Sequence, residues 1–472
     1  MPTKYISVIG LEVHVELKTE TKIFCSCSTE FGVEPNTNIC PVCLGMPGAL
    51  PVLGKKQVEL AVRAGLAFGC HINRRSWFDR KNYFYPDLPK GFQITQLEMP
   101  ICSGGEVPIS VCGEEKSIRL NRIHMEEDAG KLLHRDNETL IDYNRAGVPL
   151  IEIVSEPDIR TADEAKAYLT SLRRILTYIG VSDCKMNEGS MRCDVNVSVM
   201  PEGSKLFGEK CEIKNVNSIN YVGKAIEDEI ARQVSLLERG EKVDSETRRF
   251  NEDTGRCETM RKKEKAVDYR YFTEPNIPPI VITDAYINNV RKSMPHLPDE
   301  VADELVKNFG MKPDDAYLVT SDAFVADYFI RCANLTEFKE TAANLFVSEV
   351  LPQLEPDSPE EYISPSAFAE ICGLYGNGKI VSGNAKQLLH LSKNDARSPS
   401  AIAENENMLK ISDEKVLSEF VTSAILENPK AVLDYKNGKT SAIKTIIGAV
   451  MRKSKGSADP IIAEKMIRSI ID

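Results

Sequence analysis

The chain has 472 residues, with 59 Lys and Arg against 70 Asp and Glu and a formal net charge of −11. With 42% hydrophobic and 27% charged residues, it has the balance of a globular protein of about three domains, which excludes a disordered chain or a fibre. The acidic total excludes indiscriminate nucleic-acid binding, so any such surface must be a local patch of Lys and Arg.

In chain order, the first predicted element is a strand over Ile6 to Leu17, where apolar and other residues alternate. Residues two apart share a strand face, so Glu12 and His14 stand side by side while Val13 and Val15 pack behind them. Such a pair serves as a hydrogen-bonded histidine or as part of a metal site. Cys25-Ser26-Cys27 and Cys40-Pro41-Val42-Cys43 follow. Two knuckles of two thiolates can close a tetrahedral zinc site with no open position, which makes its role structural. Four unligated thiols, or a redox pair at Cys40 and Cys43, are the alternatives. Thirteen cysteines are too few for a chain of this length, and odd in number, for a disulfide scaffold. A reducing, cytoplasmic compartment is therefore expected, and neither a leader nor a membrane-spanning run is read.

From Asp79 to Gly91, basic residues (Arg80, Lys81, Lys90) interleave with Tyr83, Phe84 and Tyr85, and Pro86, Pro89 and Gly91 punctuate the run. A rigid loop suited to phosphates and a stacked base or ribose is expected, with a packed structural loop as the alternative. Glu126, Glu127 and Asp128 follow His124, and Glu152 interrupts the apolar run Pro149 to Val154. A carboxylate in such a run needs a partner, because an unpaired buried charge is costly. A divalent cation is one such partner: oxygen ligands suit magnesium or manganese, and an imidazole among them admits manganese or zinc. Thr161 opens a helix that runs to Gly180, with Glu164 reaching back to complete a capping box. On the strand Met191 to Val199, Arg192, Asp194 and Asn196 share one face, lining a cleft or facing solvent. After a strand around Cys211 to Lys214, Ser218 to Arg239 reads as a surface helix with a charged, solvated outer side.

Beyond Pro295 alternation gives way to short helices, with a polar linker from Ser392 to Asn407. The expected fold is therefore α+β, with a mixed-sheet domain over 1–294, an all-helical domain over 295–405 and a small helical tail domain over 406–472. Between Lys430 and Arg468 nine cations face three acids. Lys436, Lys439, Lys453 and Lys455, flanking Gly438 and Gly456, are the candidate phosphate contacts. Gly373 to Lys379 has phosphate-loop spacing, but Ile380 stands where Ser or Thr is needed and the approach reads as helix. Nucleophile-elbow and dinucleotide motifs are absent from the sequence.

The run Ile141-Asp142-Tyr143-Asn144-Arg145-Ala146-Gly147-Val148-Pro149-Leu150-Ile151-Glu152-Ile153-Val154-Ser155-Glu156-Pro157-Asp158 resembles the signature of the GatB/GatE family, in its GatB branch. Similar windows at Ile9 to Leu17, Cys40 to Pro51, Asp79 to Gln96, Ile123 to Lys131, Glu188 to Val197, Glu212 to Asn217 and Asp268 to Pro275 extend the resemblance over nearly the whole chain. It implies a cradle-shaped catalytic domain, a helical domain and a tail that reaches toward tRNA. It also implies a carbon-nitrogen ligase that phosphorylates the side chain of Glu or Asp on a misacylated tRNA with ATP. Ammonia released from glutamine by the amidotransferase's glutaminase (GatA) then displaces the phosphate, within a heterotrimer completed by a third component (GatC). Glu12, His14, Glu127 and Glu152 match the family's magnesium ligands, and Cys25, Cys27, Cys40 and Cys43 its zinc knuckle. Arg80, Lys81, Tyr83, Tyr85, Lys90, Arg192, Asp194, Asn196 and Lys214 are the expected ATP and substrate contacts. A non-catalytic tRNA-binding adaptor would keep the zinc, the helices and the basic tail, but has no need of the acidic set. The archaeal E branch carries an inserted domain for which this chain has no room.

Overall fold

The computed structural model describes residues 4–262, 268–355, 360–411, 413–454 and 456–471. They form two compact units, which divide between Leu297 and Pro298.

The first unit is built on a ten-stranded sheet. Its centre is strand β1 (Tyr5–Glu16), where Ile9, Leu11, Val13 and Val15 are at most 1% exposed and Gly10, Glu12 and His14 between them are only half-buried. This alternation gives the sheet one apolar and one polar face. The further strands are β2 (Glu114–Glu127), β3 (Pro149–Ser155), β4 (Met191–Pro201), β5 (Cys211–Val216), β6 (Glu246–Asn251) and β7 (Arg256–Lys262). The sheet order is β7-β6-β5-β4-β1-β3-β2, continued by the short strands Cys102–Ser103 and His71–Ile72, with Glu106–Val111 also on β2. Neighbours are antiparallel except β5 and β6, which makes the sheet mixed.

Helices α1 (Lys55–Ala67), α2 (Ala162–Tyr178) and α3 (Ile219–Glu238) cover the apolar face, where Tyr168, Leu169, Leu172 and Ile226 join the β1 side chains in one core. Each large side chain buried there contributes roughly 1.5–3 kcal/mol. Thr161 caps α2 as its position predicts, accepting from the Glu164 amide at 3.1 Å. Glu164 itself reaches one residue further back than a capping box requires, to the amide of Arg160 at 2.7 Å. The solvated reading of α3 needs a correction: Glu229 and Gln233 are fully buried, because the outer side of this helix meets the β5–β7 end of the sheet.

The second unit is helical from Pro298–Phe309 to Pro460–Ile471. Phe309, Phe329, Tyr328, Phe346 and Phe368 form an edge-to-face aromatic chain with centroids 5.1–6.0 Å apart. Its last part has a core of its own around Leu417, Val421, Ile446, Val450 and Ile467. Polar contacts tie that part to the preceding helices. Asn384 Nδ2 donates to the Met408 carbonyl at 2.6 Å and to Ser457 Oγ at 3.3 Å. The 392–407 stretch is not a bare linker, since Pro399–Asn405 is a helix that buries Ile402 and Ala403. No helix among the described residues is long and apolar enough to cross a membrane.

Candidate functional site

The polar face of β1 carries Gly10, Glu12, His14 and Glu16 in a row. The register sets Glu152 of β3 and Arg192 of β4 on either side of His14, Asp194 beside Glu12, and His124 of β2 beyond Glu152. Antiparallel pairing thus converts four separate sequence positions into one cluster. His14 Nε2 lies 3.3 Å from Glu126 Oε1 and 3.4 Å from Glu152 Oε2. His124 Nε2 lies 3.2 Å from Glu152 Oε2, and Thr95 Oγ1 donates to Glu126 Oε2 at 3.2 Å.

The electrostatics follow from this proximity. Burial works against charge on His14, but hydrogen bonds to Glu126 and Glu152 outweigh it and raise the imidazole pKa. Burial likewise opposes ionisation of Glu126 and Glu152, yet both histidines pull the carboxyls below their usual range. Glu12 goes the other way, raised first by burial and then by the neighbouring Glu152 charge, while Asn196 Nδ2 donates to its Oε1 at 2.9 Å. Donor atoms of His14, Glu126 and Glu152 come within 4.8 Å of one another. Two carboxylates and an imidazole suit manganese, magnesium or zinc, and a cation there would balance the acids directly. Buried His124 Nδ1 has no hydrogen-bond partner among the described residues.

Glu127 is not in this set. Strand parity sends it to the opposite side from His124 and Glu126. Its Oε2 accepts from Lys90 Nζ at 2.8 Å and its Oε1 from the Ile94 amide at 2.9 Å. It lines a separate hollow of about 190 Å³ with Lys90, Arg80, Glu274 and Cys43. The expected magnesium ligands are therefore divided: His14 and Glu152 converge with Glu126, Glu12 stands beside them, and Glu127 pairs with Lys90.

The other expected contacts fall into three places. On the polar face, Arg192 is paired with Asp128 (Nη1 to Oδ1, 3.2 Å), Lys214 with Asp194 and with Glu212 at 3.0 Å, and Asn196 with Glu12. Arg80 pairs with Glu274 and lies 4.2 Å above the Phe92 ring. Lys81 stands 5.0 Å from the ring of Tyr269 and 5.8 Å from that of Tyr83, and Tyr85 is exposed. The expected loop is in part a strand, Asp79–Asn82, because those residues pair with Phe92–Thr95. In the second unit Lys436 ends the helix Pro429–Lys436, Lys439 is 3.8 Å from Asp434, and Lys453 is 2.6 Å from Glu427. Lys455 lies outside the described residues.

Cys25, Cys27, Cys40 and Cys43 bring their sulfurs within 4.8 Å of one another. Lys22 is 1% exposed, and its ammonium lies 3.7 Å from Cys43 Sγ, 2.7 Å from the Asn38 carbonyl and 3.3 Å from that of Tyr143. A buried ammonium needs a counter-charge, and four thiolates around a divalent ion supply a net negative one, so the donor set fits zinc. Protein purified without chelator is expected to hold about one zinc per chain by elemental analysis. Cys43→Ser should release it and destabilise the first unit. A metal-free, equally stable wild-type chain would refute this.

The profile of the GatB/GatE catalytic domain matches residues 7–288, and that of a GatB domain matches residues 327–471. The chain is 49% identical over 469 residues to a protein of Thermoanaerobacter pseudethanolicus, covering 98% of this chain and 99% of that one. It is 48% identical over 477 residues to one of Caldicellulosiruptor saccharolyticus, covering 99% of each. A third, of Carboxydothermus hydrogenoformans, is 46% identical over 473 residues, covering 98% of each. All three are named as the B subunit of aspartyl/glutamyl-tRNA(Asn/Gln) amidotransferase. With both profiles in chain order and near-complete coverage of each relative, this chain belongs to the GatB/GatE family.

Proposed function

We propose that this chain is the B subunit of a tRNA-dependent amidotransferase, a cytoplasmic ligase that converts Glu on tRNA(Gln), Asp on tRNA(Asn), or both, to the amide. The substrate's side-chain oxygen attacks the γ-phosphorus of ATP and ADP leaves. Ammonia then forms the C–N bond at the activated carbon as phosphate and a proton depart. A carboxylate is a poor electrophile until phosphorylated, and this transfer needs positioning and charge neutralisation rather than a covalent nucleophile. A bound magnesium ion would neutralise charge on the transferred phosphoryl group. His14, Glu126 and Glu152 would hold it, Glu12 bordering them, and Arg192, Asp194 and Lys214 fix the polar wall beside them. The observation that carries this reading is the convergence of His14, Glu126 and Glu152 on one sheet face, which a passive adaptor does not require.

The sequence offers no residue set for glutamine hydrolysis, so GatA is the expected ammonia source and GatC the expected third component of a heterotrimer. The reading is tested by combining the chain with these two proteins, ATP, glutamine and each misacylated tRNA. ATP-dependent Gln-tRNA or Asn-tRNA formation is expected, and amide formation without ATP, or glutaminase activity in the lone chain, would overturn it.

The basic tail is proposed to meet tRNA phosphates. Lys453 and Lys439 already have acidic partners, but exposed pairs are weak and exchange readily for phosphate. Lys436→Glu combined with Lys439→Glu should raise the Michaelis constant for aminoacyl-tRNA and reduce the slope of log affinity against log salt by about 1 to 2. An unchanged salt slope would remove these two residues from the contact.

A further inference from the structure

The zinc knuckle and the polar face meet through one buried cation that the reaction does not use. The backbone of Lys22 is held by α1, where buried Gln57 donates from Nε2 to the carbonyls of Thr21 at 2.9 Å and Lys22 at 3.2 Å. The ammonium has three donors, and all three are engaged: with the Asn38 carbonyl at 2.7 Å, with the Tyr143 carbonyl at 3.3 Å and with Cys43 Sγ at 3.7 Å. No carboxylate among the described residues lies within ion-pair distance of it. Two carbonyls satisfy hydrogen bonds but carry no net charge, so the compensation that a buried cation needs must come from the sulfur side. Four thiolates around a divalent ion supply it, because they leave surplus negative charge on the centre.

The bond to Tyr143 leads toward the site. Tyr143 opens the loop that runs into β3, and this loop lies against Lys22 and Cys43. Gly147 adopts φ +87°, and a Cβ there would stand 3.5 Å from Lys22 Cδ and 3.6 Å from Cys43 Cβ. The Ile23 amide donates to the Gly147 carbonyl at 2.9 Å, the Gly147 amide to the Asp128 carbonyl at 2.9 Å, and the Asp128 amide to the Val148 carbonyl at 2.8 Å. From the same loop, Arg145 Nε lies 3.4 Å from Asp128 Oδ2. Asp128 in turn pairs with Arg192, which stands opposite His14 on β4. A continuous run of polar contacts therefore joins the sulfurs to the wall of the cation cluster. We propose that Lys22 is the internal counter-ion of the zinc tetrathiolate and that, through the Tyr143 to Val148 loop, it makes zinc occupancy set the position of Asp128 and Arg192. Lys22 is thus a positioning residue for the site wall. The inference rests on the zinc reading of the four cysteines.

In the full-length chain, Lys22→Met keeps the buried stem and removes the charge. It is expected to weaken zinc binding about 10- to 100-fold in competition with a chromophoric chelator. A lysine that only filled space would leave zinc affinity unmoved. Lys22→Arg, which keeps the charge, should hold zinc more tightly than Lys22→Met. With zinc saturating, amide hydrogen exchange of Lys22→Met in segments 126–130 and 143–148 should rise about tenfold relative to that of α3. Stripping zinc from the wild-type chain with a chelator should raise exchange in the same two segments. This second arm needs no substitution, so the test stands even if Lys22→Met folds poorly. Unchanged zinc affinity in a folded Lys22→Met would overturn the proposal. So would zinc removal from the wild type that leaves both segments protected, or that raises exchange equally in α3. A wild-type chain that binds no zinc would instead defeat the underlying reading, a result distinct from these.

Discussion

His14→Ala, Glu126→Gln and Glu152→Gln are each expected to lower amide formation in the assembled enzyme by about 100-fold or more, with glutamine hydrolysis by the glutaminase component retained. The three side chains share one small space, with His14 Nε2 3.3 Å and 3.4 Å from the two carboxylates. Losing any one removes a donor and leaves the others unbalanced, so charge on the transferred phosphoryl group is less well neutralised. Glu126 and Glu127 provide the sharper comparison. Glu126→Gln should raise the magnesium or manganese concentration needed for half-maximal activity. Glu127→Gln should leave that concentration unchanged, since Glu127 bonds Lys90 and the Ile94 amide on the other side of β2. Its effect would come through Lys90, left without its carboxylate in a half-buried hollow. A metal requirement that shifts for Glu127→Gln and not for Glu126→Gln would reverse the assignment.

The reason this distinction escapes the sequence is parity. Two adjacent glutamates after His124 are chemically equivalent as letters, and only the pairing of His124 with Glu152 decides which one turns toward His14. Alternation alone suffices for β1 and β4, because both are long, half-buried strands with β-branched residues on one face. The four-cysteine cluster is also legible, since its spacing fixes which side chains can meet. Lys22 is not, because a lone lysine near a knuckle gives no sign that it is buried beside a sulfur. Asp79–Asn82 reads as loop from the prolines and glycine downstream, whereas its partner strand lies ten residues further on. Long-range contacts of this kind decide most of what composition and period leave open.

The second large effect concerns α3, whose charged side is the least legible feature of the chain. Glu229 is fully buried and accepts from Arg232 at 2.7 and 2.9 Å and from Gln233 at 2.7 Å, while Arg248 Nε lies 3.2 Å away. Through these partners α3 is fastened to β4, β6 and β7, because Gln233 donates to the Val197 carbonyl at 3.0 Å and Arg248 to Glu246 at 2.7 Å and the Cys257 carbonyl at 2.6 Å. Glu229→Ala strips a carboxylate from the centre of this network and leaves the Arg248 guanidinium, 9% exposed, with less than its share of compensating charge. Breaking a buried pair from one side costs about 3–5 kcal/mol, which in a unit of this size lowers the thermal midpoint by roughly 10 °C. Glu229→Gln should cost less, since the amide oxygen still accepts one bond. Glu229→Leu together with Arg248→Met should recover much of the loss, because an apolar pair of similar volume removes the uncompensated charge. The loss should appear as instability rather than as a changed metal requirement, since none of these residues is in the His14 cluster. A Glu229→Ala protein that melts within about 2 °C of wild type would show that the network holds nothing together, and that the β4 wall of the site is kept in place by the apolar core alone.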